Sequence, residues 1–143
     1  MLRKVKLSDS FDLMTINEVA LGYSKGHTQT SKQLTQLLSQ DHHFLFGFEE
    51  EKTGRLVGYI HAEIYQVLYA DTGLNVLALA VLPDYQRRGI GRSLLQELEK
   101  LAIDKELHFI RLNSAEKRTQ AHSFYLRAGF QDDKLQKRFI KYI

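Results

Sequence analysis

The stretch LALAVLPDYQRRGIGRSLL, residues 77–95, decides how this chain is read. An apolar run of strand character ends at Leu82, and Pro83 forces a turn. Gly89 and Gly91 then open an amphipathic helix with Ile90, Leu94, Leu95, Leu98, Leu101 and Ala102 on one stripe. Physically this is an anion cradle. Glycines let a ligand approach the backbone, and the unpaired N–H groups of a helix start point at it. Arg87, Arg88 and Arg92 cluster at the same end, where the helix macrodipole disfavours cations by roughly 0.3 to 1 kcal/mol each. A bound polyanion reverses the sign of that penalty. The plainer alternative is a group of solvated arginines beside a loop glycine pair; against it, the strand, turn, glycines and charges all agree. Two familiar phosphate loops are excluded. GxxxxGK[ST] is absent, and GxGxxG fails because Leu94 stands where the third glycine belongs and Pro83 to Arg88 separate strand from glycines.

Upstream, the period is that of strands. LNVLALAVL at 74–82 is apolar throughout, as for a strand buried on both faces. Before it, alternating Phe44, Phe46 and Phe48, a turn with Gly54, and LVGYIHAEIY at 56–65 predict an antiparallel hairpin. In its second strand Leu56, Gly58, Ile60, Ala62 and Ile64 point one way, and Tyr59, His61, Glu63 and Tyr65 the other. One face is apolar and the other carries chemistry. LRKVKL reads as a first strand. Ser8 and Asp9 offer N-cap oxygens for a helix running to Gly22, and a second helix spans about 30 to 39. Downstream of the cradle helix, HFIRLNS reads as a strand, RTQAHSFYLRAGF as a helix stopped by Gly129, and LQKRFIKYI as a terminal strand. Antiparallel strands come first and a parallel crossover late, so the sheet must be mixed.

The chain has 143 residues, 43% hydrophobic and 26% charged, which suits a globular domain and argues against a disordered or fibrous one. No repeat, linker tract or charge block divides it, so we expect a single domain over residues 1–143. The absence of cysteine removes disulfides, thiolate metal sites and a thiol nucleophile together. MLRKVKLSDSFDL lacks the apolar run of a signal peptide, and no stretch approaches the roughly 20 apolar residues of a membrane span. We therefore expect a cytoplasmic protein without membrane partners. A net charge of +3 is too mild to indicate a nucleic-acid partner but suits a polyanionic small ligand.

VLPDYQRRGIGRSLL resembles the acetyl-CoA-binding motif of the GNAT superfamily of N-acetyltransferases, [QR]xxGx[GA] after a strand ending near a proline; Gln86, Gly89 and Gly91 match it. AHSFYLRAGF, residues 121–130, resembles the second family motif, AxxxYxxxGF. The resemblance extends to the hairpin and the terminal strand and is weakest over residues 1–40. It implies a mixed α/β single-domain fold, a central sheet of about six to seven strands flanked by about four helices. It further implies acetyl-CoA as cosubstrate. Leu79, Ala80 and Val81 would offer backbone groups to the pantetheine arm, and the amides of Arg87, Arg88, Gly89, Ile90, Gly91 and Arg92 would hold the pyrophosphate, with Gln86 completing the motif. The family commonly places an asparagine three residues before the motif alanine; here that position is Arg118, and Asn113 and Ser114 are the candidate substitutes.

The reaction implied is direct transfer of the acetyl group from acetyl-CoA to a primary amine of a small molecule, or of a peptide or protein, through a tetrahedral intermediate. An amine with a pKa of about 10.4 is almost wholly protonated at neutral pH, so freeing its lone pair costs on the order of 4 to 5 kcal/mol without assistance. Tyr125 matches the family's general acid; without the motif it would read as a core aromatic at helical spacing. For the base, Glu63 and His61 are the candidates, acting alone or through ordered water, against the alternative of an ordinary half-exposed strand face. Tyr23, Tyr59, Tyr65 and Tyr69 are candidates for the acceptor pocket. No HxxxH or HExxH spacing occurs, and His42 and His43 are adjacent, so we expect no metal. Two other classes compete: an acyl-CoA-binding or sensor module without turnover, and a nucleic-acid binder using the cradle arginines with Lys134, Lys137, Arg138 and Lys141. The latter lacks aromatic-basic interleaving. Many relatives dimerise, which allows a homodimer without fixing one.

Overall fold

A computed structural model describes residues 1–143, in two compact units, Met1–Leu112 and Asn113–Ile143. The first holds a five-stranded sheet in the order β1 (Leu2–Lys4), β2 (His43–Glu49), β3 (Leu56–Tyr65), β4 (Gly73–Val81), β5 (Ile110–Leu112). The first four strands pair antiparallel and β4–β5 parallel, so the sheet is mixed as the sequence requires. The parallel step follows from α3 (Ile90–Asp104), which carries the chain back across the sheet. No helix in the chain is long and apolar enough to cross a membrane.

Strand alternation divides the core. Val5, Leu13, Ile16, Leu34, Tyr59 and Ala80 form one buried cluster, in which α1 (Ser10–Ile16) and α2 (His27–Leu38) cover one face of the sheet. On the other face Ile60, Leu74 and Val76 are buried with the apolar stripe of α3, namely Ile90, Leu94, Leu95, Leu98 and Ala102. The pairing of β3 with β4 slips between His61, opposite Ala78, and Ala62, opposite Val76. Leu77 is the extra residue of a bulge and turns to solvent, so β4 is not buried on both faces throughout.

Four expectations are corrected. The sheet has five strands rather than six to seven. LQKRFIKYI forms no strand; residues 131–143 are exposed. Strand alternation would set Lys137 and Lys141 on the same face as Leu135, Phe139 and Ile143, so neither face can be buried without a cation, and no strand pairs with its backbone. Asp9 does not cap α1 with its side chain. Its buried carboxylate accepts from the Lys6 amide at 2.8 Å and, bidentately, from Arg3 at 2.8 Å twice. The helical pattern toward Gly22 is also broken into a 3-10 turn at Leu7–Asp9, α1, and a π-helical turn at Asn17–Leu21.

The second unit, taken by itself, is built on α4 (Thr119–Arg127).

Candidate active site

In the first unit the cradle starts where β4 loses its second partner. β5 pairs only with Leu74, Asn75 and Val76, so Leu79, Ala80 and Val81 pair on the β3 side alone. Pro83–Tyr85 makes a 3-10 turn, and two residues then take the left-handed backbone region, Arg87 at φ 63° and Gly89 at φ 81°. Left-handed residues at alternate positions turn successive N–H groups to one side, the backbone pattern of an anion-binding nest. Gly89 is the N-cap of α3 and no side chain caps that end. Ser93 donates its amide to the Gly89 carbonyl at 3.0 Å, so the amides of Ile90, Gly91 and Arg92 precede the first intrahelical bond.

The side chains around this turn have separate tasks. Gln86 Nε2 donates to the Val81 carbonyl at 3.0 Å, so the motif glutamine ties the turn to the end of β4. The Arg88 guanidinium lies over the Tyr85 ring at 5.0 Å, and the Tyr85 hydroxyl donates to Glu50. Arg87, Arg88 and Arg92 are exposed, and the first turn of α3 holds no acidic residue. Gly58, on β3, lets the strand lie close under this corner: a Cβ there would stand 3.1 Å from the Ala80 carbonyl and 3.4 Å from Ile90.

A second cluster occupies the sheet face that carries Tyr59. His43 stands opposite Glu63, Glu63 opposite Asn75, and Asn75 opposite Arg111, one register row across four strands. Asn75 Nδ2 donates to Glu63 Oε2 at 3.0 Å, and Arg111 donates to Asn75 Oδ1 at 2.7 Å. One residue up β3's alternation, His61 Nε2 and His43 Nδ1 share a hydrogen bond of 2.9 Å. Burial, joined by the His43 ring, pushes His61 down to about 4 against the opposing pull of Glu63. Burial and His42 lower His43 as well, again against Glu63. Both imidazoles are therefore neutral at neutral pH.

The sheet brings the two sequence-derived base candidates, His61 and Glu63, into this network together. His43, Asn75 and Arg111 were not among the expected site residues. The signal was present in the alternation of β2, where Phe44, Phe46 and Phe48 leave His43 on the opposite face, but only the hairpin register puts it beside His61. Of the expected pocket tyrosines, Tyr59 is buried with its hydroxyl on Asn17 and lines no surface. Tyr23 and Tyr69 are exposed, and Tyr65 packs between Phe109, edge-on at 6.0 Å, and the Arg111 guanidinium at 4.7 Å.

In the second unit Tyr125 lies on α4, half-buried, edge-to-face with Phe124 at 5.3 Å and Phe130 at 5.5 Å. Burial raises its pKa, partly countered by Arg118, so the phenol keeps its proton at neutral pH. Arg118 is the N-cap residue of α4, its amide donating to Ala115 at 3.0 Å. The His122 ring also bonds the Ala115 carbonyl, at 2.9 Å, and so braces this loop. Asn113 is exposed and Ser114 half-buried, both directly after β5 in the chain.

Residues 12–130 match the model of the Acetyltransferase (GNAT) family. No curated protein matches the chain. Among solved structures it is similar to aminoglycoside 6'-N-acetyltransferase AAC(6')-Ih from Acinetobacter baumannii, with 19% identity and a TM-score of 0.85, covering 100% of this chain and 98% of that one. It is also similar to AAC(6')-Iy in complex with the bisubstrate analog CoA-S-monomethyl-acetylneamine, at 16% identity and 0.85 over 100% and 98%. A third similar structure is glucosamine-6-phosphate N-acetyltransferase from Arabidopsis thaliana, at 15% identity and 0.81 over 98% and 97%.

Proposed function

The chain belongs to the acetyltransferase (GNAT) family and is an acetyl-CoA-dependent N-acetyltransferase, and on that premise we propose that it transfers the acetyl group directly to a primary amine of a small molecule. The observation that carries the site assignment is the start of α3: an uncapped helix end, left-handed backbone at Arg87 and Gly89, and three arginines together. Coenzyme A carries two linked phosphates, and this end offers amides and cations suited to them. The β4 edge at residues 78–81, paired on one side only, suits the amide-bearing pantetheine arm as an added strand. The residues present therefore fit the cosubstrate. For the acceptor, the similar structures named for aminoglycosides and glucosamine-6-phosphate support a small amine.

When bound, acetyl-CoA supplies the thioester carbonyl that the amine attacks. The chain's own residues manage the protons. His61, neutral and carrying a lone pair, takes the proton of the acceptor ammonium; burial and the His43 ring make that step uphill, and the Glu63 carboxylate, which favours the imidazolium, offsets part of the cost. Tyr125, protonated at neutral pH, gives its hydroxyl proton to the leaving thiolate. The N–C bond forms first, giving the tetrahedral intermediate; its collapse breaks the C–S bond, and the second proton shed by the nitrogen restores the Tyr125 phenol. With no cysteine in the chain, no thiol carries the acetyl group between donor and acceptor.

Acetyl-CoA at about 100 times its Kd stabilises the protein by about 2.7 kcal/mol through mass action, seen as a rise in Tm that NADH and ATP at equal concentration do not match. An amine panel of polyamines, amino acids, aminoglycosides and peptides, read by CoA release, identifies the acceptor class. Tyr125→Phe lowers kcat about a hundredfold with acetyl-CoA KM unchanged. Equal Tm shifts from all three ligands overturn the cradle, and wild-type kcat in Tyr125→Phe removes its role.

A further inference from the structure

A base that accepts a proton must lose it again before the next turnover, and His61 is enclosed between two strands with its Nε2 already committed to His43. That bond leads outward. His43 is the first residue of β2, half-buried, and it comes directly after exposed His42, whose ring lies 4.6 Å away. From the register row and this hydrogen bond we propose that His43 is the proton exit of the active site: it receives the proton taken up by His61 and releases it to solvent at the start of β2. The inference rests on the proposed function, in which His61 is the base.

The transfers balance. The N–H bond of the acceptor ammonium breaks as one forms at Nδ1 of His61. The hydrogen on Nε2 of His61 moves to Nδ1 of His43, and the hydrogen on Nε2 of His43 passes to water. Each step makes one bond to hydrogen as it breaks another, and exchange with water, in which each ring gains a hydrogen at Nε2 as it gives up the one at Nδ1, restores the starting tautomers. The surroundings suit a cation passing through without resting. Glu63 of β3 faces the pair and favours the transient imidazolium. β4 contributes only neutral groups, Asn75 and Ala78, and Arg111 of β5 is held on the Asn75 side chain beyond Glu63. His42 is the remaining titratable neighbour, and it disfavours charge on His43. The helices α1 and α2 meet this face of the sheet through Leu13, Ile16 and Leu34. His43 touches no reacting atom; it acts through His61 as a positioning residue.

Glutamine at position 43 keeps a hydrogen-bonding side chain but cannot pass a proton, whereas phenylalanine removes the bond as well. CoA release by the full chain, with the best acceptor of the amine panel, is followed across pH for His43→Gln, His43→Phe and His61→Ala. We expect both His43 variants to lose kcat about tenfold with acetyl-CoA KM unchanged. Their acid limb moves to higher pH, because His61 no longer has a neighbouring imidazole opposing its protonation. Wild-type kcat and acid limb in His43→Gln, beside a crippled His61→Ala, overturn the exit while leaving the base in place. Wild-type kcat in His61→Ala overturns the base, and the exit with it. Should His43→Phe fail to fold, His43→Gln decides alone.

Discussion

Arg87 holds a left-handed backbone, φ 63°, that a residue with a Cβ adopts at a cost of order 1 to 3 kcal/mol. Its neighbour Gly89, at φ 81°, has a conformation that glycine takes freely. Strain kept at the mouth of an uncapped helix, by a cation, is what a site shaped for an anion looks like. Arg87→Gly should relieve that strain and raise stability by about 1 kcal/mol while weakening acetyl-CoA binding through the lost charge. Thermal unfolding with and without acetyl-CoA separates the two effects; a variant both less stable and equally avid would contradict the assignment. At this scale the sequence was informative where chemistry and spacing coincide. Gln86, Gly89, Gly91 and Tyr125 stood in recognisable motifs, and His61 with Glu63 emerged from simple alternation. His43 did not, because adjacency to His42 says nothing about which side chain lies opposite on another strand.

Among the elements, β4 carries the most consequence. Its pairing with β5 stops at Val76, the bulge at Leu77 re-aims the strand beyond it, and its end is packed against α3 by way of Gly58 on β3. A methyl group at Gly58 would meet the Ala80 carbonyl at 3.1 Å and the Val81 side chain at 3.2 Å. Gly58→Ala should therefore cost about 1 to 3 kcal/mol and weaken acetyl-CoA binding as well, since it pushes β4 and the start of α3 apart. Denaturant unfolding and ligand-induced Tm shifts measure both; a loss of stability with binding unchanged would mean that the corner relaxes elsewhere. The hairpin, the buried strand, α3 and α4 were legible from period and turn residues. The terminal strand was not: LQKRFIKYI has strand composition, but a strand exists only where another backbone accepts its hydrogen bonds. The breaks before and after α1 were equally hidden, since Asp9 has a typical N-cap identity and only the fold brings Arg3 to it.

Across the sheet-bearing unit, acid stability should fall in two steps. His61 is held at about 4, below its ordinary 6.5, so between those values the unfolded chain binds a proton that the folded one refuses, and stability falls as pH drops through that window. Asp9 adds the second step. Burial alone would raise its carboxyl, but hydrogen bonds from Arg3 and the Lys6 amide outweigh it and hold it below the ordinary 3.8. Its contribution is complete above 3.8 and is lost as pH falls through the depressed value. Arg3 also bonds Glu49 at 2.8 Å, and the Arg3 and Asp9 side chains are only 17% and 7% exposed. Removing the Asp9 carboxylate leaves Arg3 with Glu49 as its remaining carboxylate partner and takes the acceptor from the Lys6 amide, so Asp9→Ala should cost about 2 kcal/mol at neutral pH and abolish the second step only. Urea unfolding across pH tests this, and a variant that keeps both steps would refute it. By itself the sequence determined the fold class, the exclusion of a thiol nucleophile in a chain without cysteine, and the turn between Pro83 and the helix opened by Gly89, because turn residues, helical period and residue identity are local properties. Only the tertiary structure decided the number of strands, the Arg3–Asp9 pair and the His43–His61–Glu63–Asn75–Arg111 network, because these depend on register and burial, which arise between segments far apart in the chain.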